Sequence, residues 1–426
     1  MRHNRTITIL GAGAVLDFDF QNKTVPTTRN ITKQLLNTTI QGLNSENVNL
    51  IQEVYNILFE NARQAYLSFH PDVRHYEPNI NFEELFDVIE TLASYNGAWL
   101  KEDLSFPMVS SLVSPNVHFQ SVEYVRALEA MINVILDIVN DYNSDFAKNE
   151  EKELWYRNFW KAFNGNNDVF TLNYDTTVEN SLKDEYNDGF IPFVQQYQRF
   201  SPKFLMENES SMTTINHLHG CVLYADANPL NGQYEYSHRD LFKFKCQQDV
   251  FLSRQWMPTN QAKTHIFYSP IITGLKKTDK ICYLPHSFYH SNLAMKILKN
   301  PSLLIVGYSF GDLYVNQFLE RHKLIHNDKQ RVVVIDKYPE YVNKDWTSLY
   351  QHFINRGSFQ DFMLRLLEEA NLLEAKDKIE RINSNVWQDK QGRFRLYTGG
   401  FKDAVEKHGN DIIQFLDNNY LYDCKM

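Results

Sequence analysis

Four short runs of apolar, mostly β-branched residues are spread along the chain, and glycine or polar residues follow each run. The runs lie at residues 6–10, 168–172, 303–306 and 331–335. Continuous apolar runs of this length are typical of strands buried on both faces, as in a parallel sheet covered by helices. In open α/β sheets, ligands bind outside the carboxyl ends of the strands. The pattern therefore predicts a parallel sheet whose strand ends share one site.

A glycine-rich turn, Gly11-Ala12-Gly13-Ala14, directly follows the first run. Such a turn lets a phosphate approach the backbone, and dinucleotide-binding sheets begin with a strand followed by a turn of this kind. The strict G-x-G-x-x-G pattern is not met, because Leu16 stands where the third glycine would be. From this pattern alone, a phosphate-binding turn and an ordinary strand-to-helix turn both stay open.

A long helical stretch separates the first two predicted strands. Apolar residues recur at helical spacing from Phe82 to Leu92 and from Val122 to Val139. The helical pattern extends over residues 31–163, which is too long for a single crossover between neighbouring strands. We therefore predict a helical insertion packed on the sheet.

Two later regions are less regular. Residues 197–261 are aromatic-rich and loop-like without a clear period, and residues 338–426 alternate helical runs such as 362–373 with a strand-like run at 393–398. This tail is either a separate docking element or a cap on the core. The predicted fold class is α/β, with a Rossmann-like parallel sheet, a large helical insertion and a mixed C-terminal extension. The predicted domains are a catalytic domain (1–35 and 165–340), the insertion (36–164) and the extension (341–426).

The composition limits the class of protein. Of the 426 residues 43% are hydrophobic, enough for a sizeable core, and the net charge of −9 disfavours a protein built mainly to bind nucleic acid. No apolar run approaches the roughly 18 residues of a membrane span. The N-terminus reads directly into a strand-like segment, without a secretory leader. We expect a cytoplasmic protein with no membrane contact and no direct nucleic-acid partner.

The cysteines give no sign of a zinc ribbon or a disulfide framework. They are Cys221, Cys246, Cys282 and Cys424, and no C-x-x-C pair is present. We interpret all four as free thiols. Cys221 lies two residues from His219 and could be read as a nucleophile, but a small packed residue after a glycine is the favoured interpretation.

Six polar or glycine-bearing segments now combine in one order along the chain. They are residues 11–13, 26–27, 171–175, 218–220, 306–309 and 335–336. In this order and spacing the chain resembles the sirtuin family, and more narrowly the bacterial sirtuin-like NAD-cleaving proteins of antiphage defence. Each segment is weak by itself, but six in the right order, each at a predicted strand end or loop, are a much stronger signal.

The resemblance implies a role for each matching residue. His219 would be the catalytic histidine, Asn173 would lie beside the nicotinamide ribose, and Asp175 would hold the nicotinamide carboxamide. The remaining matches would bind the rest of NAD. These are Gly11, Ala12 and Gly13, whose backbone N–H groups would cradle the pyrophosphate, Pro26 and Thr27, then Gly307 and Ser309 on the phosphates and adenosine ribose, and Asp336 on the adenine ribose.

Simpler interpretations of these residues stay open. Asn173 alone would be a turn former, and Asp175 would cap the following helix. The His217-x-His219 pair would lie on one face of a strand and could bind a metal, but no further ligand is spaced suitably, so no metal is expected. Asp17 and Asp19 stand where the family has small residues. This acidic loop either folds away from the pyrophosphate or gates its entry.

The resemblance implies an NAD glycohydrolase, with NAD as substrate, that depletes cellular NAD as an abortive-infection effector. The missing zinc cysteines favour this NAD hydrolysis over protein deacylation, which we rank third among the possible functions. The second is a non-catalytic subunit of a defence complex that binds NAD, ADP-ribose or a nucleotide signal. By analogy, the partner would be a translocase-type ATPase, another defence protein or further copies of the chain.

Overall fold

The computed structural model describes residues 5–18, 25–37, 50–95, 121–192, 197–208, 211–225, 241–250, 270–274, 281–354, 357–369 and 374–417. Its strands are β1 (Thr6–Leu10), β2 (Asn167–Thr171), β3 (Tyr186–Asn187), β4 (Tyr197–Arg199), β5 (Thr213–His217), β6 (Tyr224–Ala225), β7 (Phe242–Phe244), β8 (Ser302–Val306), β9 (Arg331–Ile335), β10 (Ile379–Asn383), β11 (Val386–Asp389) and β12 (Phe394–Tyr397). Within these residues one sheet has nine strands in the order β10-β11-β12-β9-β8-β1-β2-β5-β3, and β4, β7 and β6 form a small second sheet.

The centre of the main sheet is parallel, as predicted. β1 pairs with β2 on one side and with β8 on the other, so that Leu10 faces Thr171 and Val306. β9 continues beyond β8, with Val306 opposite Ile335. The four predicted runs are thus confirmed as adjacent strands, and their carboxyl ends lie at the same edge of the sheet.

The sequence analysis missed β5, which lies in the region expected to be loop-like. β5 pairs in parallel with β2, and all five of its residues are buried. Its sequence, TTINH, lacks the apolar run that marks the other strands. Its polar groups are paired inside the protein instead, because Thr214 Oγ1 donates to Asp168 Oδ1 at 2.7 Å and Asn216 Nδ2 donates to the Val169 carbonyl at 3.2 Å.

Helices cover both faces of the sheet. They are α1 (Thr28–Asn37), α2 (Leu50–Phe69), α3 (Phe82–Tyr95), α4 (Ser121–Lys148), α5 (Leu154–Lys161), α6 (Thr177–Leu182), α7 (Pro202–Glu207), α8 (His286–Lys299), α9 (Leu313–His326), α10 (Trp346–Ile354), α11 (Gly357–Leu367) and α12 (Phe401–Leu416). Ile7 and Ile9 of β1 pack toward α8 to α11, whereas Leu10 packs toward α5 and α12. The alternation gives a three-layer α/β fold, in agreement with the predicted Rossmann-like class. Across the described residues, no helix is both long and apolar enough to span a membrane.

Besides α5, which packs with α12, the predicted helical stretch contains α1 to α4, and both apolar patterns in it fall on these four helices. Phe82 begins α3, and the pattern from Val122 to Val139 lies within α4. These helices share a hydrophobic core of their own, which also includes Tyr174 and Cys221 from the main sheet's loops. The helical layer therefore packs beside the carboxyl ends of β2 and β5.

The C-terminal extension continues the main sheet. The predicted strand at 393–398 is β12, which pairs in parallel with β9 so that Phe394 faces Val332. β11 and β10 follow in antiparallel order, and α12 packs against β8, β9 and α5. Of the helical run expected at 362–373, residues 362–367 lie in α11, and residues 370–373 lie outside the described residues. The described part of the extension thus shares the sheet and core of the preceding strands.

Candidate functional site

Five candidate residues lie just beyond the carboxyl ends of neighbouring parallel strands. Gly11 follows β1, Asn173 follows β2, His219 follows β5, Gly307 follows β8 and Asp336 follows β9. Adjacent strands are separated by about 4.8 Å, so this row of five strands is about 19 Å wide. Its width suits an elongated ligand lying across the strand ends.

The glycine turn packs directly against Gly307. Gly13 N–H donates to the Gly307 carbonyl at 2.8 Å, and Gly11 N–H donates to the Val306 carbonyl at 2.9 Å. A Cβ at Gly13 would lie 2.7 Å from Gly307 Cα, so glycine is required for this approach. We expected these N–H groups to bind a pyrophosphate, but here they bond within the protein. The exposed residue at the tip of the turn is Ala12.

Asn173 connects the loop after β2 to the glycine turn. Its Nδ2 donates to the Gly11 carbonyl at 3.2 Å, and its own N–H donates to Thr171 Oγ1 at 3.0 Å. The residue is 8% exposed. Because Gly11 fixes the amide nitrogen, the direction of the amide oxygen is also fixed.

Asp175 caps the first turn of α6 through its carboxylate, although the residue at the N-cap position itself is Thr176. Its Oδ1 accepts from Thr177 N–H at 3.0 Å and from Thr177 Oγ1 at 2.6 Å, at the start of α6. Burial raises the pKa of the Asp175 carboxyl, while the hydrogen bonds from Thr177 oppose that rise. The cap occupies Oδ1 and holds the carboxyl beside the loop that carries Asn173.

His219 is paired with a carboxylate that the sequence analysis did not single out. Its Nε2 lies 2.7 Å from Oδ2 of Asp312, and both side chains are 8% exposed. Asp312 caps α9 through its other oxygen, Oδ1, which accepts from Tyr314 N–H and Val315 N–H. The available signal was an aspartate between the end of a predicted strand and a following helix, in the segment Gly307-Tyr308-Ser309-Phe310-Gly311-Asp312.

His217 has a different carboxylate partner, so the two histidines do not act as one pair. Its Nε2 lies 2.6 Å from Glu179 Oε1, and both side chains are buried. Burial alone would lower the pKa of His217, but the Glu179 carboxylate outweighs it and holds that pKa above its ordinary value. β5 ends at His217, so strand alternation does not extend to His219. The described residues contain no group of three or more side chains able to hold a metal ion.

The other predicted binding residues are more scattered. Thr27 Oγ1 accepts from Asn30 N–H at 3.2 Å at the start of α1, and the half-buried Pro26 precedes it. Ser309 is exposed two residues beyond Gly307. Asp336 is half-buried, and its Oδ1 accepts from Lys337 N–H at 2.8 Å. Ser309 and Asp336 therefore lie at the strand-end row, whereas Thr27 directly precedes α1, a helix of the helical layer.

Asp17 is directed toward the C-terminal extension. Its Oδ1 accepts from Lys337 Nζ at 2.8 Å, and its Oδ2 accepts from Lys402 N–H at 3.3 Å in the first turn of α12. Asp17 is thus paired within the protein, with the residue that follows Asp336 and with α12. Asp19 lies outside the described residues.

The fold and the strand-end site define a Rossmann-like α/β protein in which an asparagine bonds to a glycine turn and a histidine at the same sheet edge pairs with an aspartate. Residues 167–353 match the SIR2-like domain family. The matched span runs from β2 to α10, so it contains Asn173, His219 and Gly307 but not the glycine turn. The match supports a sirtuin-like family for this chain, and because SIR2-like domains bind NAD, it indicates an NAD-using protein. No curated protein matches the chain.

Proposed function

We propose that the protein is an NAD glycohydrolase, which cleaves the bond between nicotinamide and ribose to release nicotinamide and ADP-ribose. The observation that carries the proposal is the convergence at one sheet edge of a glycine turn, an asparagine bonded to it and a histidine held by a carboxylate. An inert binding pocket would not need a positioned imidazole. The family match supports the NAD-using character on which the proposal rests.

The residue types suit the cleavage of this bond. Nicotinamide leaves as a neutral molecule and takes the electron pair of the C–N bond, so no general acid is needed. The ribose develops oxocarbenium character, and a water oxygen then bonds to its carbon. In the proposed mechanism neutral His219 accepts a proton from a ribose hydroxyl or from this water.

Two further side chains would orient the substrate. Asn173 would fix the ribose or the water without adding charge, because Gly11 already sets the direction of its amide. Asp175 would grip the nicotinamide carboxamide and turn the leaving group out of plane. Correct orientation of reacting groups contributes several kcal/mol to catalysis, about 7–11 kcal/mol in the best cases.

The proposed biological role follows from the resemblance. The enzyme would deplete NAD in infected cells and would stay silent until a partner or an assembly activates it. Candidate partners are a translocase-type ATPase, another defence protein or further copies of the chain, acting in the cytoplasm. Deacylation is disfavoured because the sequence has no C-x-x-C pairs for a zinc ribbon.

The test is nicotinamide release from NAD by the purified protein, alone and with candidate partners. We expect His219→Ala and Asn173→Ala to abolish turnover. The matched controls are His75→Ala and Asn56→Ala, which change exposed residues of the helical layer and should keep wild-type turnover. If the wild type in its complete assembly binds NAD without releasing nicotinamide, the proposal fails and the non-catalytic binding subunit replaces it.

A further inference from the structure

Hydrogen bonds other than the one to His219 fix the position of Asp312. Its Oδ1 accepts from Tyr314 N–H at 2.9 Å and from Val315 N–H at 3.1 Å. Its carbonyl accepts from the Tyr308 hydroxyl at 3.0 Å, and the same hydroxyl lies 3.2 Å from its N–H. With the backbone and one carboxylate oxygen fixed in this way, the direction of Oδ2 toward His219 is fixed as well.

The backbone of His219 is also constrained from its other side. Its carbonyl accepts from Ile272 N–H at 2.6 Å, and the preceding Leu218 N–H donates to the Thr171 carbonyl at 2.9 Å. Gly220 follows with φ of +89°, and a Cβ there would lie 2.1 Å from the Pro270 carbonyl oxygen. The ring therefore meets Asp312 in a position set by the surrounding chain.

The pair selects one tautomer of the imidazole. An ionised carboxylate can only accept hydrogen bonds, so the ring donates its Nε2–H to Asp312. A neutral imidazole that carries its hydrogen on Nε2 has its lone pair on Nδ1. Nδ1 is then the nitrogen able to take a proton.

We propose that Asp312 is a positioning residue for the reaction, holding His219 in the tautomer and orientation that its role as a base requires. The inference rests on the proposed glycohydrolase function. His217 pairs with a different carboxylate, because its Nε2 lies 2.6 Å from Oε1 of Glu179 in α6.

The decisive variant is Asp312→Asn. Asparagine has the same size and caps helices as well as aspartate, so the bonds to the start of α9 are retained. Its amide N–H group, however, would face Nε2 and select the opposite tautomer. We expect kcat to fall at least about 100-fold, with KM and ADP-ribose affinity changed by no more than about twofold. The matched control is Asp345→Asn, because the exposed Asp345 caps α10 through Ser348 N–H at 2.8 Å and pairs with no histidine; it should behave as wild type.

A second measurement is independent of turnover. In protein with ¹⁵N-labelled histidine, and with the His219 signal assigned through His219→Gln, we expect hydrogen on Nε2 in the wild type and on Nδ1 in Asp312→Asn. If the wild type is active and Asp312→Asn turns over NAD equally fast, the role of Asp312 is overturned but the proposed function is not. A wild type that stays silent in its complete assembly would overturn the proposed function. The tautomers would then still test Asp312, because the same tautomer in wild type and Asp312→Asn would contradict its role.

Discussion

The buried charge cluster at the amino-terminal end of the sheet should control stability without touching the site. Asp168 is fully buried at the start of β2 and pairs with Arg5 and Lys296, each at 3.0 Å. Thr214 adds a hydrogen bond at 2.7 Å. Asp168→Asn removes the charge that both cations share while keeping the shape of the side chain.

The expected loss of stability depends on the interactions that the two cations keep in Asp168→Asn. Arg5 keeps hydrogen bonds to the carbonyls of Gly165 and Asn167, each at 2.7 Å, so the lost charge affects chiefly the ammonium of Lys296. The Lys296 side chain is only 5% exposed. Breaking a buried pair by removing one partner typically costs about 3–5 kcal/mol. For a chain of 426 residues, about 4 kcal/mol corresponds to a fall in Tm of about 4–5 °C.

Urea and thermal denaturation, followed by circular dichroism, measure this loss. The double variant Asp168→Asn/Lys296→Met should recover part of the stability, because it removes the buried ammonium that the Asp168 charge no longer balances. Nicotinamide release per folded molecule should be unchanged, since the cluster and the strand-end site lie at opposite ends of β2.

The contribution of Asp168 to stability should also depend on pH, and the direction of its pKa shift gives the sign of that dependence. Burial opposes ionisation of Asp168, but Arg5 and Lys296 outweigh it and hold its pKa below the ordinary value. Its stabilisation is therefore present above the ordinary aspartate pKa and is lost as the pH falls through the lowered pKa. A loss of less than about 1 kcal/mol in Asp168→Asn, or equal acid sensitivity of variant and wild type, would refute the reasoning.

Two other predictions concern the site itself. Gly13→Ala would place its Cβ 2.7 Å from Gly307 Cα and should weaken NAD binding at least about tenfold in calorimetry. The control Gly409→Ala in α12 meets only ordinary contacts and should raise stability by up to about 1 kcal/mol. Unchanged NAD affinity in Gly13→Ala would contradict the role of the turn. Because Glu179 raises the pKa of buried His217, the pair stabilises the fold below the ordinary histidine pKa of 6.5 and loses this effect as the pH rises through the raised value. From about pH 6 to about pH 9 the urea midpoint should therefore fall more in the wild type than in Glu179→Gln, and equal slopes would exclude this effect.

The strands that could be predicted have a run of β-branched or apolar residues in their own sequence. β9 is a continuous β-branched run, and its burial on both faces follows from that run. β5 was missed because its stability depends on partners elsewhere, such as Asp168 for Thr214, and hydrophobic periodicity does not record such bonds.

The site was predictable only in part, for a related reason. Asn173, His219 and Gly307 follow strand ends, so the pattern brings them to one edge of the sheet. The partner of His219 is 93 positions away in sequence, and the partner of Asp17 at Lys337 is 320 away. No local pattern specifies such pairs. The bonds from Gly11 and Gly13 to the last residue of β8 and to Gly307 likewise depend on a neighbour that only the folded sheet supplies.

The position of β1 in the sheet has a consequence for biosynthesis. β1 precedes both of its neighbours in the sheet, β2 and β8, which contain residues 167–171 and 302–306. During translation the backbone donors and acceptors of β1 are therefore made long before their partners in β2 and β8. Forming contacts between residues so far apart in sequence is slow. A nascent chain that stops before residue 302 would expose an unpaired edge of β1, which is a template for aggregation.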